Sequence, residues 1–151
     1  MNNQITLRVY NRSAYPLPAY ASQGASGMDL RAAISDPMVL KPHRVYRVPT
    51  GLYVECPPGY EIQIRARSGL ALKHGITLVN GIGTIDADYR GEICVIMMNL
   101  LDEDYTITPG ERIAQMVVAE TVTATLTEVD TPDALSDTQR GAGGFGHSGR
   151  Q

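Results

Sequence analysis

Cysteine is scarce in this sequence: Cys56 and Cys94 stand far apart, and no CxxC pair occurs. A chain of 151 residues that folds as one unit buries roughly 68–70% of its unfolded surface. Neither disulfides nor a structural metal is then needed, and both thiols are expected as plain core or strand residues. There is no charged-then-apolar leader and no run of 18 apolar residues, so the expectation is a cytoplasmic protein with reduced thiols and no membrane span. Histidine is also sparse, and His43, His74 and His147 sit at no metal-ligand spacing, which argues against a zinc site. An excess of positive charge is missing too. The net charge of −3 and a pI near 5.5 exclude broad coating of nucleic acid, which needs a basic stripe to displace counterions. An anionic ligand must therefore be held locally. Among the basic residues only Lys41 and Lys73 are lysine. Arginine's rigid fork suits bidentate phosphate contacts, although a general preference for arginine gives the same count.

What is present is ordinary globular composition, 43% hydrophobic and 19% charged, in a chain of single-domain length. Helical periodicity is weak. Period-two alternation recurs instead: Ile5, Leu7, Val9; then Ile62, Ile64, Ala66 against Glu61, Gln63, Arg65; then Val122, Ala124, Leu126 interleaved with four threonines at 121–127. Turn formers at Pro16, Pro18, Pro42, Pro57, Gly59, Pro109 and Gly110 cut the chain into short strands. This predicts an all-β fold, a barrel or sandwich, with one short helix around 70–74. Residues 1–129 read as the β-barrel domain. Residues 130–139 read as a polar linker, and 140–151 as a flexible glycine-rich arm.

Five segments set a charged or hydroxyl side chain among glycines or turn formers, where backbone amides can reach a ligand. They are ASGMDLR (25–31), RSGLA (67–71), NGIGTIDADYRGEI (80–93), RIAQM (112–116) and RGAGGFGHSGR (140–150). Asp29 in the first, a lone Asp in a turn, is more often a turn or cap residue than a metal contact. Ser68 in the second is placed to cap the short helix, to bind phosphate, or to do both. The third predicts a β-hairpin carrying Asp86, Asp88 and Tyr89 at its tip, where an Asp can hold and deprotonate a water. In the fourth, Arg112 and Gln115 lie three apart and so face opposite ways on a regular strand. In the fifth, Arg140 can fork a phosphate and Phe145 can stack on a base, which suggests a lid.

In this order and spacing, the five segments resemble the five motifs of the trimeric dUTP pyrophosphatase (dUTPase) family, over residues 25–149 and close to its bacterial members. The resemblance implies a jelly-roll-like β-barrel assembled as a homotrimer. Its active sites are built from segments of several subunits, and its arm exchanges onto a neighbour. The implied reaction is hydrolysis of dUTP to dUMP and pyrophosphate with Mg2+, which supplies dUMP for thymidylate synthesis and keeps uracil out of DNA. By position, Asp86 matches the carboxylate that activates water against the α-phosphorus. Asn80 and Gly83 match the uracil reader, and Tyr89 the ring beneath the deoxyribose. Asp29 matches the acid that holds magnesium through its waters. Arg67, Ser68 and Gln115 match phosphate or water-orienting positions, and Arg140, Phe145, Gly146 and Ser148 the arm. Gly69, Thr84, Ile85 and Met97 complete the implied substrate contacts. The nearest rival, a dCTP deaminase, needs a Glu to activate water at the base, and the segment carries Asp86 and Asp88 instead. A sensor that binds dUTP without cutting it would have no use for Asp86.

Overall fold

The computed structural model describes residues 4–144 of the chain. Among them are ten strands: β1 (Arg8–Asn11), β2 (Met28–Arg31), β3 (Met38–Leu40), β4 (Val45–Glu55), β5 (Tyr60–Arg65), β6 (Ile76–Leu78), β7 (Gly83–Ile85), β8 (Glu92–Asn99), β9 (Tyr105–Ile107) and β10 (Arg112–Glu120). One helix, α1 (Ser68–His74), and a 3₁₀ turn at Pro132–Ala134 complete the elements. Two four-stranded sheets, ordered β1-β4-β8-β6 and β2-β10-β5-β7, and a two-stranded sheet β3-β9 account for every strand described. All pairings between these strands are antiparallel.

Alternation explains which residues turn inward. In β5 Ile62 and Ile64 are buried while Glu61, Gln63 and Arg65 line the opposite face, and in β8 Ile93, Val95 and Met97 alternate with Cys94, Ile96 and Met98. These side chains join Leu30, Val48, Ile113 and Met116 in one core fed by all three sheets. The result is the expected all-β, jelly-roll-like barrel. β4 serves two partners. Val45 to Pro49 and Tyr53 pair with β8, Leu52 to Glu55 pair with β1, and the β8 register shifts between Pro49 and Tyr53. The irregular stretch is pinned by Thr50 Oγ1, which donates to Ile93 O at 2.7 Å, and by Gly51 N, which donates to Glu92 Oε1 at 2.8 Å.

Two local expectations need correction. α1 begins at Ser68 rather than 70. Arg67 occupies the extended capping position with no side-chain cap bond, so Ser68 lies inside the first turn and does not cap it. At the other end Gly75 closes the helix in the left-handed region (φ 60°). The alternating segment 121–127 forms no strand, and Val122 and Leu126 are 95% and 93% exposed. β10 has run past its neighbours by then. Glu120 pairs with Tyr60 at the very start of β5, and Thr121 N reaches Gly59 O as a last contact. Alternation makes a strand only where a partner edge exists.

Asn99 is fully buried at the end of β8 and ties three backbone groups together. Its Nδ2 donates to Leu40 O (3.0 Å) and Glu103 O (2.6 Å), and its Oδ1 accepts from Leu101 N (3.0 Å). Asn99→Ala leaves these groups without their partner and is expected to cost about 3 kcal/mol. The sequence has no tryptophan, so urea unfolding followed by far-UV circular dichroism at one protein concentration is the suitable measurement. An unchanged midpoint would show that water replaces the amide at no cost.

Candidate active site

β10 lies between β2 and β5, and one cross-strand row runs from Asp29 through Gln115 to Arg65. Regular alternation puts Arg112 and Gln115 on opposite faces. The register shifts between Arg112 and Ala114, however, so that Arg112 pairs with Arg31 and Gln115 with Asp29. Three steps along β10 thus match two along β2, and the extra residue restores both side chains to one face. Ile113 and Ala114, adjacent in sequence, both enter the core as a consequence. On the other face Asp29 Oδ1 accepts from Arg67 Nε and Oδ2 from Arg112 Nη1, each at 3.0 Å. Arg67 Nη1 also donates to Arg112 O at 2.9 Å, and Gln115 Nε2 to Ala66 O at 3.1 Å. Gly27 leaves room for this amide, because a Cβ there would overlap Gln115 Oε1. One carboxylate braced by two guanidiniums leaves a net positive, half-exposed surface whose free N–H groups suit an anion.

A second group forms around β7. Gly81 (φ 68°) turns the chain after β6, with its N–H on Leu78 O at 3.1 Å. Asn80 is exposed beside the turn. Gly83 then packs so closely that a Cβ would sit 3.2 Å from both Asn80 Nδ2 and Ile64 Cβ. Thr84 points outward and Ile85 packs against the core. Asp86 follows, exposed, its carboxylate without a hydrogen bond or ion pair among the described residues. The turn after it is tightly held. Tyr89 N donates to Asp86 O (3.1 Å), Tyr89 Oη to Glu92 O (3.0 Å), and Arg90 Nη1 to Ala87 O (2.7 Å) and Tyr89 O (2.8 Å).

The predicted hairpin at 80–93 is not one. β7 pairs with β5, while β8 is flanked on both sides by β4 and β6 in the other sheet. β8 has no free edge for β7, so residues 86–91 cross between sheets. Met97, expected among the substrate contacts, is 1% exposed on β8 between Tyr46 and Leu78, and the single chain offers a ligand no access to it. Ser68 and Gly69 are exposed in the first turn of α1. Arg140 is exposed and donates from Nε to Gly143 O at 2.6 Å. Phe145, Gly146 and Ser148 lie outside the described residues. Sequence reasoning gave Arg112 no part in the Asp29 cluster. The consecutive apolar pair Ile113-Ala114 was the available sign of a bulge.

The two groups do not meet within one chain. β2 and β7 are the outer strands of one four-stranded sheet. Three strand spacings separate them, roughly 14 Å, and Ile85 pairs with Ile62, three residues along β5 from the Asp29 row. Three clefts of about 810, 500 and 300 Å3 open elsewhere on the surface, and none is lined by Asp29, Asn80 or Asp86. The thiols are no candidates for nucleophiles: burial pushes both Cys56 and Cys94 up from their ordinary pKa, keeping them protonated near neutral pH.

The side chains of Arg67, Asp29 and Arg112 are 27%, 31% and 52% exposed, and ion pairs this open to water contribute little to stability. Asp29→Asn is therefore expected to lower unfolding stability by less than about 1 kcal/mol. A loss several times larger in denaturant titration would mark the cluster as a structural clamp.

The dUTPase family model matches residues 13–149. A deoxyuridine 5'-triphosphate nucleotidohydrolase of Finegoldia magna is 50% identical over 143 residues, 95% of this chain and 98% of that protein. One from Caulobacter vibrioides is 55% identical over 136 residues, 89% and 86% of the two chains. Among solved structures, a Staphylococcus bacteriophage 80alpha dUTPase variant with dUpNHpp has a TM-score of 0.81 at 26% identity, covering 97% of this chain and 99% of that one. Another variant of the 80alpha phage dUTPase reaches 0.83 at 27% identity with the same coverage. With a family model spanning nearly the whole chain and half of its residues shared with bacterial dUTP nucleotidohydrolases, this chain is an enzyme of the dUTPase family.

Proposed function

We propose that the chain hydrolyses dUTP to dUMP and pyrophosphate in the cytoplasm, at sites shared between the subunits of a homotrimer. The observation that carries the reading is the contrast between two acids. Asp29 is committed to Arg67 and Arg112, whereas Asp86 stands exposed at the end of β7, unpaired among the described residues. A committed carboxylate orients its neighbours, and a free one can accept a proton. In this reading Asp86 takes a proton from a water that attacks the α-phosphorus as pyrophosphate departs in line. Asn80 and the backbone of Gly83, Thr84 and Ile85 read the uracil edge. Tyr89 lies under the deoxyribose. Arg67, Ser68, Gly69 and Gln115 hold phosphates, and Arg140, Phe145, Gly146 and Ser148 close over them.

Magnesium fits the donor set. Among the described residues no three acids, cysteines or histidines converge, so there is no cage for a dehydrated ion. Mg2+ keeps most of its waters and binds through one or two carboxylates plus phosphates. Asp29, whose oxygens retain lone pairs beyond those used by the arginines, would hold it through water. When bound, the ion neutralises charge on the phosphates.

The separation of the two groups across the sheet supports shared sites. Association is favoured further by exposed apolar side chains on and beside β4 and β8, namely Val45 (54%), Val79 (47%), Ile82 (50%) and Ile96 (39%). Among the described residues no helix is long and apolar enough to cross a membrane.

Asp86→Asn is expected to bind dUTP as the parent does but to turn over roughly 10²–10⁴-fold more slowly, since an amide is no base. Asp88→Asn, two residues on in the same turn, is the control and should remain active. Pyrophosphate release from dUTP, dCTP, dTTP and UTP is the assay. An active Asp86→Asn, or equal rates on all four nucleotides, would refute the reading.

A further inference from the structure

We propose that Gly91 is a specificity-positioning residue: its missing side chain is what lets the Tyr89 ring seat against its own backbone, and this seat sets discrimination against a ribonucleotide 2′-hydroxyl. The inference rests on the placement of Tyr89 under the deoxyribose proposed above.

Glycine is usually required for one of two reasons, a left-handed backbone or a close approach. Gly91 is not among the residues with positive φ, so backbone freedom does not account for it. Space does. Tyr89 curls back across residue 91 to donate from Oη to Glu92 O at 3.0 Å. A Cβ on Gly91 would overlap that hydroxyl and lie 2.5 Å from Cζ and 3.0 Å from Cε2. Carbon atoms do not pack at such distances, so either the ring or the backbone must yield.

The backbone is the harder to move. Glu92 opens β8 in register with Tyr53, and its carboxylate accepts from Gly51 N at 2.8 Å. On the other side Arg90 Nη1 holds Ala87 O and Tyr89 O. Tyr89, by contrast, is 42% exposed, and its ring has solvent to swing into. A side chain at 91 should therefore displace the ring, break its bond to Glu92 O, and withdraw the wall beneath the sugar. The backbone bond from Tyr89 N to Asp86 O does not involve the ring, so the acid keeps its place.

The test is a double-mutant cycle with Gly91→Ala, Tyr89→Ala and the pair together, reading the ratio of kcat/KM for UTP to that for dUTP. Gly91→Ala should raise the ratio by about tenfold with oligomeric state and circular dichroism unchanged, and in the Tyr89→Ala background it should add nothing, because there is no ring left to displace. A merely structural role for Gly91 would lower turnover on both nucleotides alike and leave the ratio where it was. If Tyr89→Ala itself leaves the ratio unchanged, the placement of Tyr89 fails, whatever Gly91 does. If Tyr89→Ala raises it and Gly91→Ala does not, or the two effects multiply in the pair, the role of Gly91 is overturned. Should Gly91→Ala not fold, Tyr89→Phe releases the ring from Glu92 O without adding a Cβ. A raised ratio then supports the seat and an unchanged one overturns it.

Discussion

One extra residue in β10 governs the Asp29 cluster, the phosphate side of the proposed site. Without the shift at Ile113, Arg112 would face away from Asp29 and Gln115 away from Arg112, and the three could not share a surface. With it, Ile113 and Ala114 both enter the core. The cost of breaking the strand's alternation is thus offset by apolar burial on the inner face. The polar cluster on the outer face is held by strands rather than by loops, which keeps Asp29 and both guanidiniums fixed before any anion arrives. Arg67 joins from the extended residue that precedes α1, and its two bonds, to Asp29 and to Arg112 O, fasten that residue to β2 and β10.

The group around β7, the proposed base side, has another origin. Because β8 is already paired on both edges, the chain after β7 must leave its sheet and cross to the other. The crossing puts Asp86 and Tyr89 in a turn braced by Arg90 and by Glu92 O. One acid is therefore fixed in a charge network while the other is left open to solvent, and the sheet separates them. In the proposed reading a nucleotide meets both, which a second copy of the chain can arrange by laying its own turn against the first chain's β2–β10 face.

Much of this was legible in the sequence. Alternation in β5 and turn residues between short strands gave the all-β class, and the order of the five segments gave the family. The rest depended on neighbours that a linear reading does not display. The alternation at 121–127 is as regular as that of β5, but only β5 has partner strands on both sides. The segment 80–93 carries every local feature of a hairpin, and it fails to be one only because β4 and β6 occupy the edges of β8 first. Met97 lies in a strand next to the chemistry by sequence, yet alternation turns it into the core. The tight fit at Gly91 becomes visible only once the Tyr89 ring is placed over it.

The central claim is that Asp86 and the Arg67 cluster acting on one nucleotide belong to different chains, and subunit complementation tests it most directly. Asp86→Asn and Arg67→Ala proteins, each nearly inactive alone, are mixed in equal amounts, unfolded and refolded together. If the site draws the two residues from different subunits, about a quarter of the sites in the mixed assemblies are intact, since each contributing position is filled by the right chain half the time. The account predicts that dUTP hydrolysis returns to about that fraction of the parent's rate. Activity no greater than the mean of the two variants would contradict it, and would place both groups on the same chain.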